Sequence, residues 1–446
     1  MNIIKTIYLA NIFIFPKFAA DYKWHTASKY INQMDVFRAL NSRNFRLFFY
    51  GQSISLIGTW MQKTAVCWLV YRLTNSAVLL GVVSFVSLIP SLLLSPYAGS
   101  YIDRHNRYRI LMITQIISML QAGALALMIL FRNYNIPGII FLSLVQGVIN
   151  AFDVTCRQSL MVEMVEKRED LPNAIALNST MSNFARIAGP ALAGIILSTF
   201  GEDICFVSNF LSYIPVLISL WMMKIVLPPV IKSDRSIWAE LKEGFHYISG
   251  DKDLASLLLM LSASSLFVIP FNTLMPVFAK DIFNGDAKTF SWFESAAGLG
   301  SIISAIYMAK LKPNKDLVKL LITASLVFSL SVLLLAFSGW LPLALLFMML
   351  SGIGMMAQTA SINTYIQTHA IPAMRARAIS YYIMAFQGII PVGSLLTGLL
   401  AHFIGPRLTV FVAGLAGAIA TVIFVNYRKK IRTIQYEIPD GAKVAA

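Results

Sequence analysis

Three charged residues stand where hydrocarbon would penalise them. Lys63 lies in SISLIGTWMQKTAVCWLV, Arg186 in NFARIAGPALAGIIL and Glu294 in WFESAAGLGSII. A lysine or arginine at the centre of a bilayer costs about 2.5–3.5 kcal/mol on insertion scales. Such residues are therefore rare and turn toward a protein interior or a water-filled cavity. Two cations in a cavity favour an anionic or electron-rich, catechol-like guest. They argue against an organic cation, whose binding calls for a buried carboxylate. A carboxylate or histidine inside the membrane has a different use, the carriage of a proton. Asp153, Glu294 and His402 are the candidates for that.

Polar residues extend the pattern. One stretch carries Gln52, Ser55, Thr59, Gln62 and Lys63; a second carries Ser143, Gln146, Asn150, Asp153 and Arg157; a third carries Ser179, Ser182, Asn183 and Arg186. Steps of mostly three or four place each series on one helical face. A polar face turns to protein or to water rather than to lipid. Gln52, Thr59, Gln62, Lys63, Gln146, Asn150 and Arg186 are thus candidates to line a cavity and touch a guest. Ser, Thr, Asn and Gln serve equally well as interhelical hydrogen-bonding groups. Asp153 and Arg157 are candidates for proton coupling or for an ion pair near the membrane edge, as is Glu294 near the opposite edge.

The elements that position these residues follow from composition. The chain has 446 residues, of which 57% are hydrophobic and 13% charged, and its mean hydropathy is +0.69. A soluble domain carries about 25% charged residues, so this chain is read as an all-α, polytopic membrane protein. A crossing helix needs about 20 apolar residues. Twelve stretches qualify, near 47–71, 78–98, 110–131, 136–155, 173–198, 203–226, 254–279, 289–309, 317–338, 341–363, 376–400 and 406–426. With a cytoplasmic N-terminus, 29 of the 36 lysines and arginines fall on the cytoplasmic side and 5 on the other, leaving Lys63 and Arg186 inside spans. The positive-inside rule then places both termini in the cytoplasm. The net charge of +15 reflects this topology and contact with anionic lipid, not nucleic-acid binding. Cys67, Cys156 and Cys205 are too far apart for a metal or disulfide framework. No phosphate-binding G-x-x-x-x-G-K-[ST] loop, H-E-x-x-H, C-x-x-C or G-x-S-x-G occurs, so neither an enzyme nor an ATPase is expected, and no cofactor.

The longest polar interruption, 227–253, divides six spans from six. Ile237, Leu241, Phe245 and Ile248 recur there at helical spacing, which predicts an amphipathic surface helix. The expected organisation is a 1–45 cytoplasmic or surface segment, a six-helix bundle at 46–226, the central loop at 227–253, a second six-helix bundle at 254–427 and a basic tail at 428–446. Residues 1–32 contain IIKTIYLANIFIF, which reads as a signal peptide, a surface segment or an upstream start. The halves echo one another: GPALAG at 189–194 has a counterpart in GSLLTG at 393–398, an offset of 204. Six plus six with internal similarity is the pattern of transporters that rock two bundles about a midplane site.

Three stretches carry a family resemblance: NFRLFFYGQSISLIGTWMQKTAVCWLVYRLTNSA, AGSYIDRHNRYRIL and RQSLMVEMVEKREDLPNAIALNSTMSNFARIAGPALAG. In this order, over about Phe37 to Tyr427, they resemble the major facilitator superfamily. The similarity is to its bacterial efflux branch, with enterobactin-type siderophore exporters and macrolide efflux proteins. The resemblance implies two bundles in the cytoplasmic membrane, alternating access and export of a small molecule coupled to a proton. The expected partners are a small-molecule substrate and lipid, and the expected form is a monomer. The second stretch matches the loop between spans 2 and 3, pattern G-x-x-x-D-R-x-x-R. Its Gly99, Asp103, Arg104, Arg107 and Arg109 are gating candidates, with Gly99 turning the chain and Asp103 latching to an arginine. The arginines also satisfy the positive-inside rule without any such role. Gly189, Pro190 and Gly194 resemble the fifth-span motif of antiporters, with Ala193 replacing one glycine, and imply efflux rather than uptake. Ser143 stands where many proton antiporters have an arginine, and Lys310 and Lys312 stand where the second half would repeat the acidic loop.

Overall fold

The computed structural model describes residues 37–225, 237–311, 316–371 and 374–437. Most of the 1–45 segment, residues 226–236 of the central loop, Lys312 and the tail beyond 437 lie outside the described residues. Among the described residues the chain is helical, without strands.

The first half holds α1 (Arg43–Thr74), α2 (Ala77–Asp103), α3 (Arg107–Leu130), α4 (Ile136–Met164), α5 (Leu171–Thr199) and α6 (Glu202–Met222). A shorter helix, α7 (Ile237–Gly250), leads into the second half. There follow α8 (Lys252–Ile282, with two π turns), α9 (Ala287–Ala309), α10 (Leu317–Phe337) and α11 (Leu341–His369). Then come α12 (Arg375–Ile383, a π turn, Ile390–Ile404) and α13 (Pro406–Glu437). Side chains at the helix starts cap orphan amides: Asn106 accepts from Arg109 N, Asn135 from Gly138 N, Asp286 from Lys288 N and Thr289 N, and Asp316 from Val318 N and Lys319 N. Each such cap stabilises its helix by about 1 kcal/mol.

Nine of the described helices are long and apolar enough to cross a membrane. The three other helices longer than 20 residues are α1, α5 and α9, the ones that carry Lys63, Arg186 and Glu294. Side chains such as Leu93, Phe131, Trp221 and Phe403 stand exposed on the outside of the bundle, as lipid-facing positions must be apolar.

The backbone repeats the internal similarity. Gly201, with φ +86°, ends the α5–α6 turn, and Gly405, with φ +82°, ends the α12–α13 turn, again 204 residues apart. Asn75 after α1 and Asn284 after α8 are both left-handed.

Packing is asymmetric along the bundle. At the end bearing the α1–α2 turn, one apolar core spans both halves, with Leu69 and Tyr71 packed in the same cluster as Phe278, Phe290 and Phe293. At the opposite end the core divides. Phe45, Phe48 and Leu160 form one cluster in the first half; Leu254, Ile362 and Ile366 form another in the second.

Two expectations are corrected. Gly99 does not turn the chain: α2 runs on to Asp103, and a side chain at Gly99 would meet nothing within 4 Å. The cap of α3 is Asn106. The spans expected to end near 155 and 363 run on as helix, since α4 reaches Met164 and α11 reaches His369. In the central loop a helix forms as α7; its Ile248 is buried against the second half while its Phe245 is exposed, and Glu243 pairs with Arg377 of α12 at 2.5 Å.

Candidate functional site

Glycine contacts set the geometry of the site. Gly189 of α5 packs on Trp60, Ile57 and Met61 of α1, where a Cβ would collide with the Trp60 side chain. One turn on, Gly194 meets Ser291 of α9, and Gly298 of α9 meets Ile187 of α5. Thus α5 lies between α1 and α9, touching its own half on one face and the other half on another. At 100° per residue, Arg186 projects between these two faces. Lys63 is one turn from Trp60, with its ammonium 4.7 Å above the indole. Glu294 sits on the α9 face bracketed by Ser291 and Gly298.

The three charged residues are thus carried by helices that pack on one another. Two come from the first half and one from the second. Arg186 and Glu294 are half-buried and Lys63 is exposed. The hydroxyls of Ser291 and Ser295, on the same part of α9, are buried and bonded to no protein group.

A second polar site lies wholly within the first half. A cavity of about 30 Å³ is lined by Gln52, Thr59, Gln146, Asn150, Asp153 and Arg157 from the predicted stripes. That exceeds the ~10–15 Å³ a water needs. Asp153 accepts from Arg157 Nε at 2.8 Å, from Gln115 at 2.6 Å and from Thr114 at 3.2 Å. Gln115, Ser118 and Tyr213 also line it, together with Ser55 and Leu56. Sequence reasoning passed over the first two, although Thr114, Gln115, Ser118 and Gln121 of α3 follow the same three-and-four spacing. The structure brings Asp153 to Arg157 and not to Arg186.

Gln62 stands elsewhere than expected. It is buried between helices, donating to Gln121 (3.3 Å) and accepting from Asn209 (2.7 Å), so it joins α1, α3 and α6 instead of lining that cavity. Ser143 is buried and donates to its own helix at Ile139 O.

The fifth-span motif and its repeat are interface elements. Gly189 packs on α1, and Gly393 packs in the corresponding way on Ser265, Leu266 and Pro270 of α8. Gly194 crosses to α9, and Gly398 crosses to Ala77 and Gly81 of α2. Pro190 sits inside the continuous α5 and is buried. At the joined end, Tyr71 donates to Asp281, Lys280 donates to Asn75 at 2.6 Å, and Trp68 stacks on Phe290. All three contacts tie α1 to α8 or α9. Beside them a vestibule of about 450 Å³ is lined by residues including Arg72, Arg132 and Asp286. None of these contacts was anticipated, although Asp281 was legible as a lone acid at the end of a span.

At the divided end, the ion pairs found among the described residues stay within one half: Arg38–Asp170, Arg107–Glu163 at 3.6 Å and Arg428–Asp253 at 2.9 Å. Arg104 and Arg109 are exposed. The Asp103 side chain lies outside what is described.

Two repeated helical halves, charges held between them and apolar side chains around the outside define a multi-pass membrane transporter. The chain belongs to the transmembrane secretion effector family of the major facilitator superfamily, whose family model matches residues 35–439. It is 27% identical to the staphyloferrin A transporter of Staphylococcus aureus (strain NCTC 8325 / PS 47), over 87% of this chain and 97% of that protein. It is 24% identical to macrolide efflux protein A of Streptococcus pyogenes, over 81% and 91%. In fold it is similar to a bacterial homologue of the human lysosomal transporter Spinster, solved inward-facing and unoccupied (TM-score 0.70, 13% identity, 87% and 97% covered). It is likewise similar to a bacterial homologue of the iron transporter ferroportin (TM-score 0.67, 15% identity, 86% and 98% covered).

Proposed function

We propose that this protein exports a small amphiphilic molecule, a siderophore, across the bacterial cytoplasmic membrane by alternating access, coupled to a proton. The observation that carries the reading is the packing of α5, which bears Arg186, between α1 and α9, which bear Lys63 and Glu294. Charges in such a place cost free energy that only function repays. Two cations to one carboxylate suit an acidic or catechol-like chelator. The likeness to the staphyloferrin A transporter supports the same substrate class.

In this reading twelve helices cross the membrane. The three least apolar, α1, α5 and α9, turn their charges inward and need less lipid-facing hydropathy. An even number of crossings and the basic bias put both termini in the cytoplasm. The joined end is then the outer one, and the state is open to the cytoplasm, ready to load cargo. Gly189, Pro190 and Gly194 shape the α5 packing on which closure turns, and Asp103 with Arg104, Arg107 and Arg109 latches the inner end when it shuts. Asp153, paired with Arg157, and Glu294 are the groups through which a proton would be coupled. The protein works as a monomer in contact with anionic lipid.

The second reading, macrolide or multidrug efflux, is favoured by the likeness to macrolide efflux protein A. Deletion separates the two. Siderophore export predicts that an iron-chelating metabolite disappears from the culture medium and that growth fails under iron limitation. Drug efflux predicts unchanged secretion and increased macrolide sensitivity.

A further inference from the structure

We propose that the polar cavity within the first half is a binding site for one Na⁺ ion. The inference goes beyond the export reading and stands apart from it, since it concerns what this cavity holds, whatever the cargo.

Unpaired oxygens mark the site. Gln52 of α1, Gln115 of α3 and Gln146 of α4 all line the cavity, and the amide oxygen of each is buried with no hydrogen-bond partner in the protein. Gln52 and Gln115 are each 2% exposed. An acceptor buried without a partner is costly, and here three border one space. The orientation of Gln115 is set by its amide nitrogen, which donates to Asp153 Oδ1 at 2.6 Å. Turning that amide over would set an oxygen against the carboxylate. Neighbouring donors are already committed: Gln115 Nε2 and Arg157 Nε to Asp153, and Thr59 Oγ1 to Ser55 O of its own helix. The cavity therefore favours an occupant that brings positive charge and disfavours an anion.

Charge and size select the ion. Asp153 is the single carboxylate among the described residues of the lining, and Arg157 offsets it at 2.8 Å. A cage of oxygens that is neutral as a whole suits a single charge. Ca²⁺ draws on several carboxylates, and transition metals on His or Cys. Among the described residues no group of three or more His, Cys, Asp or Glu is placed to hold a metal. The volume of about 30 Å³ admits roughly two water-sized particles and no organic cation.

The second half has no such charged pair. Gly147 of α4 packs on Ser87 and Pro90 of α2, and Gly352 of α11 packs in the corresponding way on Ala297 of α9. That register sets Gln358 at the place of Asp153 and Ile362 at the place of Arg157. Gln358 instead donates to Ser264 Oγ at 2.7 Å. The repeated fold thus stands without the pair in one half, and the cavity is an addition to the first. An ion held by Gln52, Gln115 and Gln146 joins α1, α3 and α4, so that this half moves as one body.

The test uses the full-length protein in nanodiscs with radioactive Na⁺ as the probe, choline chloride keeping ionic strength constant at fixed pH. About one saturable Na⁺ per chain is expected, displaced by unlabelled NaCl and not by choline chloride. The melting temperature should rise as NaCl replaces choline chloride, because an ion that binds the folded state stabilises it. Gln146→Leu removes one oxygen and is expected to weaken binding about tenfold, as loss of a contact to a charge does. Gln146→Glu keeps the oxygen and adds a negative charge, and is expected to tighten binding about tenfold. Melting in choline chloride confirms that each variant is folded, and the opposite signs of the two changes separate ligation from damage. Water alone in the cavity gives equal melting in both salts and no retained Na⁺, which overturns the proposal. Stabilisation by acid without any effect of Na⁺ marks a proton site and overturns it too. Na⁺ binding that is the same in the parent and both Gln146 variants overturns the assignment to this cavity.

Discussion

Asp153 gathers three donors onto one carboxylate, from Thr114, Gln115 and Arg157. Arg157 is one turn along the same helix and largely covered, so removal of Asp153 leaves a guanidinium without its counter-charge. Breaking a buried pair in this way costs about 3–5 kcal/mol, whereas removing both partners costs far less. Asp153→Asn is therefore expected to lower the melting temperature sharply, and the double variant Asp153→Asn with Arg157→Gln to recover most of the loss. A single variant that melts with the parent would contradict the pairing. This pair is local, and its i, i+4 spacing was legible. Its partner Gln115 sits 38 residues away on α3, and spacing along one helix does not say which face of another it meets. For the same reason Gln62, read with the cavity-lining residues of α1, proved to be a buried link among three helices.

At the scale of elements, the glycine repeat at an offset of 204 was visible in the sequence, but its meaning was not. In the fold the first glycine of each copy packs on the first long helix of its own half, and the last crosses to the other half. A side chain at Gly398 would meet the Ala77 carbonyl at 2.6 Å. Overpacking of this kind costs about 1–3 kcal/mol, and only in the state where α12 and α2 touch. Gly398→Val is expected to shift the population toward a state open at the α1–α2 end, by about 5- to 150-fold. Spin labels placed one per half at that end should report longer distances. Gly99→Val, where a side chain meets open space in this state, should leave those distances unchanged or reinforce them. Equal distances in the parent and Gly398→Val would remove the glycine pair from the gate. Helix ends were the least legible feature. Apolar runs report a membrane slab, whereas α4 and α11 persist beyond it because helix-compatible residues continue.

For the whole molecule, one shared core at one end and two separate cores at the other describe a bundle hinged at its joined end. Tyr71 and Asp281 fasten that end, and hydrogen bonds to charged groups contribute about 1.5–3 kcal/mol. Tyr71→Phe is expected to raise the fraction open at that end, seen as faster modification of cysteines introduced there. Unaltered modification rates would show that the contact is incidental. A helical, multi-pass membrane protein with an internal repeat was legible from composition and from the offset of 204. What sequence left open was which helices face one another, because a polar stripe shows that a face avoids lipid but not what it meets instead.

Whether export runs through the charges between the halves is decided by one complementation measurement. A deletion strain carrying Lys63→Gln with Arg186→Gln is compared with one carrying the parent gene, at matched membrane abundance. Iron-chelating metabolites are then quantified in medium and in cells. The account predicts chelator retained in the cells and missing from the medium in the double variant, as in the deletion itself. Normal secretion by the double variant would contradict it.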